Sequence, residues 1–192
     1  KANQERGINA LEFELVDPGV FEEDNFFDNF IEYAKKDIND IYVKVTVLNR
    51  SNHAAPLTVL PTVWLRNTWD WGYDEYDEKP VLKAIDNQKI EVKHRLFDPM
   101  WVYFKEADEL IFCENETNLE KVFGKENENE FLKDGINEYI INGKKEAVNQ
   151  KKTGTKMSAK YSAVIKSGAK QEYFYRFCDK ENIENPLEDV EQ

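Results

Sequence analysis

Apolar and polar residues alternate with a period of two in several short stretches, separated by proline, glycine, asparagine and aspartate, which is the pattern of short strands joined by turns. The cleanest case is Ile41, Val43, Val45 and Val47, set against Tyr42, Lys44, Thr46 and Leu48. Leu11, Phe13 and Leu15 alternate with Glu12 and Glu14 and predict a half-buried strand before the turn Asp17-Pro18-Gly19. Residues 26–35 are apolar on both parities, with Phe27, Ile31 and Tyr33 on one and Phe26 and Phe30 on the other. Such a run predicts a strand covered on both faces, although its spacing also suits a short helix. Residues 57–65 predict the next strand, an antiparallel partner of 41–47, with Pro61 placing a bulge or a sheet edge within it.

Further strands are expected at 90–92, 101–104 and 110–113, with residues 105–109 joining the last two as a hairpin. A second hairpin is expected from 157–166 and 171–177 around Ser167-Gly168. Between these lie two helical patterns. Thr117-Asn118-Leu119-Glu120 fits a capping box with Thr117 as N-cap, and Gly124 stops the short stripe of Leu119, Val122 and Phe123. Phe131, Leu132, Ile136, Tyr139 and Ile140 then recur at helical spacing up to Asn142-Gly143, with Gly135 an unfavourable helix residue inside the run. The elements together predict a mainly β fold, an antiparallel β-sandwich with two short helical inserts, occupying residues 1–178 as one domain. Residues 179–192 are acidic and interrupted by Pro186, and read as a linker or tail with little to bury.

Composition narrows the function classes. A formal charge of −12 over 192 residues, without a basic stripe, argues against a nucleic-acid partner. No apolar run approaches the ~20 residues of a membrane-spanning helix. The two cysteines, Cys113 and Cys178, are expected to be free, half-buried thiols, and with the lack of a leader they point to the cytoplasm. His53 and His94 are far apart and lack zinc-ligand spacing, so no metal site is expected. The acidic loop of residues 73–80 carries Asp74, Glu75, Asp77 and Glu78 but not the residue order of a calcium-binding loop. No cofactor is implied, and no carboxylate pair stands in a setting that marks it as catalytic.

One stretch concentrates the remaining chemistry. Residues 57–72 hold three of the four tryptophans, Trp64, Trp69 and Trp71, with Arg66 and Asn67 between them. Indole faces and planar hydrogen-bonding groups suit pyranose rings, but packing against another domain or the end of a large core is the commoner use of such residues. Trp64, Arg66, Asn67, Trp69 and Trp71 are the candidate carbohydrate or domain-interface residues.

Several segments resemble one family. The turn Asp17-Pro18-Gly19-Val20-Phe21 and the run Phe26-Phe27-Asp28-Asn29-Phe30-Ile31-Glu32-Tyr33-Ala34 are similar to the N-terminal region of bacterial glucosidase-like proteins related to mannosyl-oligosaccharide glucosidase, in glycoside hydrolase family 63. Leu60-Pro61-Thr62-Val63-Trp64-Leu65-Arg66-Asn67-Thr68-Trp69, Phe112-Cys113-Glu114-Asn115-Glu116-Thr117-Asn118 and Gly154-Thr155-Lys156 resemble motifs of the same region in the same order. The resemblance implies a supersandwich-like N-terminal domain followed by an (α/α)6 barrel that carries an acid and a base carboxylate for inverting hydrolysis. Two short helices cannot supply such a barrel. The chain is therefore expected to be an accessory domain, inactive alone, with the C-terminal catalytic barrel of the same polypeptide as its partner and an oligosaccharide as a further one. A start at Lys1 and an acidic tail agree with an excised domain. Trp64, Arg66, Asn67 and Trp69 match the family motif and imply only a structural or interface role, and no catalytic residue carries over.

Overall fold

Most of the alternating segments become strands, and their buried parity faces a core between two sheets. The computed structural model describes residues 2–73 and 78–188. Its strands are β1 (Phe27–Asp37), β2 (Asp40–Asn49), β3 (Ala55–Val59), β4 (Thr62–Trp64), β5 (Val81–Ala84) and β6 (Lys89–His94) in the first half. The second half adds β7 (Phe97–Phe104), β8 (Glu109–Cys113), β9 (Thr153–Gly154), β10 (Lys156–Ile165) and β11 (Lys170–Cys178). The larger sheet has the order β1-β2-β11-β7-β6-β5-β9. In the smaller one β10 is central, with β3 and β4 along one edge and β8 along the other. All pairings are antiparallel. Val45, Val47, Val92 and Val102 of the larger sheet meet Leu110, Phe112, Met157 and Ala159 of the smaller, which makes the fold a β-sandwich. Among the described residues, no helix is long and apolar enough to cross a membrane.

Each expected pairing of neighbouring strands is redirected. Residues 57–65 do not pair with 41–47: β3 and β4 both add to β10, while β2 lies between β1 and β11. β7 and β8 do not form a hairpin, because β7 joins β6 and β11 whereas β8 joins β10 in the other sheet. The Ser167-Gly168 turn likewise carries the chain from β10 in one sheet to β11 in the other. Pro61 acts as its chemistry predicts. Without an N–H it splits β3 from β4, yet its carbonyl still accepts from Ala159 N–H at 3.0 Å, so both strands keep one register on β10.

The N-terminal alternation is not a strand. Residues 6–25 run through turns; Asn3 and Arg6 side chains bond the carbonyls of Phe13 and Leu11, and Leu11 is 88% exposed. No sheet edge receives that segment, so its apolar parity has no face to fill. The run at 26–35 is a strand, but it is the outer strand of the larger sheet, with Phe30, Ile31 and Tyr33 exposed rather than covered.

On the outer face of the larger sheet, Arg176 is 4% exposed and Asp40 1%. Their side chains pair in a fork, Nε to Oδ1 at 2.8 Å and Nη2 to Oδ2 at 2.6 Å, and the guanidinium lies 4.7 Å from the Tyr42 ring centre. Residues 179–188 lie across this face. Arg176 Nη1 donates to the Pro186 carbonyl at 3.0 Å, Tyr103 Oη donates to the Lys180 carbonyl at 2.8 Å, and Leu187 is buried. Most of the described residues of this stretch stay exposed, and it docks chiefly through backbone carbonyls, which no side-chain pattern reports.

Two helices follow β8, and the second covers part of the outer face of the smaller sheet. The first, Leu119–Phe123, is capped by Asn118, whose side chain accepts from Lys121 N–H, and not by Thr117, one position earlier. The second, Gly135–Asn142, packs Ile136 against Ile111 and Cys113. Both cysteines are free and fully buried rather than half-buried, and burial pushes the Cys113 thiol up to about 11. Gly135 opens the second helix where a Cβ would lie 2.1 Å from the Ala147 carbonyl oxygen. Gly135→Ala is therefore expected to lower stability by a net ~1–2 kcal/mol, because overpacking against backbone outweighs the ~1 kcal/mol gain in helix propensity. Equilibrium urea unfolding checks this; a variant as stable as the parent would show that the two backbone segments separate freely.

Candidate functional site

The tryptophan stretch runs along β3 and β4, on one edge of the smaller sheet, and leaves the sheet after Trp64. Its path is fixed by backbone groups that lose their ladder partners there. Leu65 N–H donates to the Thr155 carbonyl at 3.3 Å, and the Leu65 carbonyl accepts from Asn115 Nδ2 at 2.9 Å. Asn67 then closes an Asx-type turn, donating to Asp70 Oδ2 at 2.6 Å and accepting from Asp70 N–H at 3.3 Å. This sets up the 3-10 turn Trp69–Trp71, which ends at Gly72 with φ of 74°.

The turn separates the tryptophans. Trp69 is buried, and its indole N–H donates to Glu116 Oε1 at 3.0 Å. Trp64 and Trp71 point outward, 57% and 46% exposed, and the Arg66 guanidinium lies 5.0 Å from the Trp71 ring centre. Of the five candidates, Asn67 is thus a turn former and Trp69 an anchor, while Trp64, Arg66 and Trp71 present surface. Of these three, Arg66 and Trp71 come together.

Sequence reading missed the group on which the stretch rests. Glu116 is 7% exposed and is held from three sides, by the Trp69 indole, the Lys79 ammonium and the Asn129 amide. Lys79 also lies 5.9 Å from the Trp69 ring centre. Next to Glu116, Asn115 N–H donates to Thr155 Oγ1 at 2.7 Å, and that hydroxyl donates to Glu114 Oε2 at 2.8 Å. Gly154 supports the junction, for a Cβ there would stand 2.4 Å from the Cys113 carbonyl oxygen. The three motifs 60–69, 112–118 and 154–156, distant in sequence, therefore meet in one structure. Their occurrence as motifs was the signal available; the hydrogen bonds that join them were not.

A cavity of about 510 Å³ opens beside the anchor, lined by Trp69, Glu116, Thr117, Phe123, Glu128 and Asn129 among others. It combines indole and phenyl surface with carboxylate and amide oxygens, which accept hydrogen bonds from hydroxyl groups. Residues 74–77, the centre of the acidic loop, lie outside the described residues.

No family model matches the chain. The chain is similar to the uncharacterized protein YMR196W of Saccharomyces cerevisiae, 33% identical over an alignment of 192 residues that takes in 83% of this chain. It spans 18% of the length of that relative.

Proposed function

We propose that this chain is a non-catalytic β-sandwich domain of a glycoside hydrolase related to mannosyl-oligosaccharide glucosidase, packing on or bordering a separate (α/α)6 catalytic barrel of the same polypeptide. The observation that carries the reading is the outward pair Trp64 and Trp71, with Arg66 stacked on the latter. Exposed indoles rimmed by a guanidinium are the residue types that anchor protein interfaces. The motif resemblance and the much greater length of the yeast relative support a domain that belongs to a larger protein.

A second reading, an independent carbohydrate-binding module, is favoured by the cavity next to Trp69. The two readings differ in a titration of this chain with glucose-containing oligosaccharides followed by tryptophan emission. Docking predicts no saturable change. A saturable change overturns docking in favour of the binding module. Hydrolysis of those oligosaccharides by the purified chain overturns the non-catalytic assignment. In a longer polypeptide that includes the barrel, docking further predicts that Trp64 and Trp71 become shielded from a soluble quencher.

A further inference from the structure

The outer strand of the larger sheet is the part of the molecule whose sequence and surroundings disagree most. β1 is apolar on both parities, yet Phe30 is 50% exposed on one face and Ile31 and Tyr33 are 56% and 71% exposed on the other. One long edge of β1 is filled by β2, and in the order of the larger sheet no strand lies beyond it. A long edge that exposes apolar side chains is a template for another strand, and the lysines and the bulge that discourage pairing are confined to the end of β1, at Lys35–Asp37.

We propose that this edge pairs with the same edge of a second copy of the chain, antiparallel about a two-fold axis, joining the two larger sheets into one. The charge pattern selects that partner and direction. Asp28 and Glu32 lie in the first part of the strand and Lys35 and Lys36 near its end, so antiparallel self-pairing sets acid against base while parallel pairing sets like against like. A two-fold pairing through the interior of β1 keeps each parity on its own face only when the paired residue numbers have an even sum. The register with Glu32 on the axis places Ile31 opposite Tyr33 and Phe30 opposite Ala34 on matching faces, and brings Asp28, which Arg50 holds within its own chain, to the bulged end of the strand that carries Lys35 and Lys36. The one like-charge meeting, Glu32 with its copy, is offset within each chain by Lys44, whose ammonium lies 2.7 Å from the Glu32 carboxylate.

Backbone geometry agrees. Arg50 N–H donates to the Phe26 carbonyl at 3.0 Å, so the even-numbered residues of β1 bond toward β2 and the odd-numbered ones face the open edge. Ile31 and Tyr33 then form a hydrogen-bonded pair across the axis, and Glu32 faces its copy as a non-hydrogen-bonded pair, where Cα atoms approach to about 4.5 Å. The arrangement is isologous and closes at two copies. It uses a surface in the other sheet from Trp64 and does not depend on the docking reading.

The test uses Glu32→Cys and, as an off-register control, Phe30→Cys; the native thiols Cys113 and Cys178 are buried. Under mild oxidation Glu32→Cys is expected to form a disulfide-linked dimer, and Phe30→Cys, four residues out of register with its own copy, is expected to stay monomeric. The unmodified chain should show a concentration-dependent dimer in sedimentation velocity, weakened at least tenfold by Ile31→Lys with unchanged circular dichroism. A chain that stays monomeric up to submillimolar concentration overturns the proposal, as does equal cross-linking of the two cysteine variants.

Discussion

Replacing Asp40 by alanine is expected to destabilise the protein by about 3–5 kcal/mol, the range for removing one partner of a buried ion pair. The side chains of Arg176 and Asp40 are 5% and 2% exposed, so water cannot take the place of the missing carboxylate. The hydrogen bond to Asp40 is the chief cause that raises the Arg176 pKa and burial opposes it, but a guanidinium keeps its proton at neutral pH even without that partner, so Asp40→Ala leaves an unpaired buried charge. The effect should spread to the C-terminal segment, since the same guanidinium holds the Pro186 carbonyl. Urea unfolding gives the loss directly, and limited proteolysis should cut residues 179–188 sooner. A double change, Asp40→Leu with Arg176→Met, is expected to recover most of the stability, because apolar groups of similar volume often equal a buried pair. A loss below about 1 kcal/mol in Asp40→Ala would show that the pair is solvated.

Glu116→Ala is the second large effect, expected at about 2–3 kcal/mol. The change leaves the buried Trp69 indole N–H without its acceptor and frees the Lys79 and Asn129 side chains that Glu116 holds. Glu116→Gln keeps an oxygen for the indole but loses the charge that Lys79 meets, so about 1 kcal/mol is expected. Emission separates the two variants further. Trp69 should shift to the red in Glu116→Ala and hardly move in Glu116→Gln. An unshifted spectrum in the alanine variant would mean that packing alone holds the indole and that the carboxylate is not the anchor of the tryptophan stretch.

Both residues escaped the sequence reading for the same reason. Glu116 is one acidic residue among 38 and Asp40 another, and nothing local distinguishes a carboxylate that will be buried from one that stays in water. Burial was decided by partners 136 residues away for Asp40 and 47 away for Glu116. The candidate site was legible only in outline. The concentration of indoles at 64–71 was visible, but which would be buried depended on the Asn67–Asp70 turn and on an acceptor from another segment.

Strand identity was local information. The valines at 43, 45 and 47 had one face to bury whatever lay opposite, Gly124 and Gly143 ended their helices, and Pro61 broke its strand, because each effect resides in a side chain or a missing N–H. The sequence by itself thus determined a mainly β chain with two helical inserts and the positions of most strands. Only the tertiary structure decided which strands pair. A turn such as Ser167-Gly168 can fold two strands into one sheet or pass the second across the core to the other, and period-two alternation is the same in both. The choice rests on long-range packing between Val47, Phe112 and Met157, far apart in the chain and together in one core.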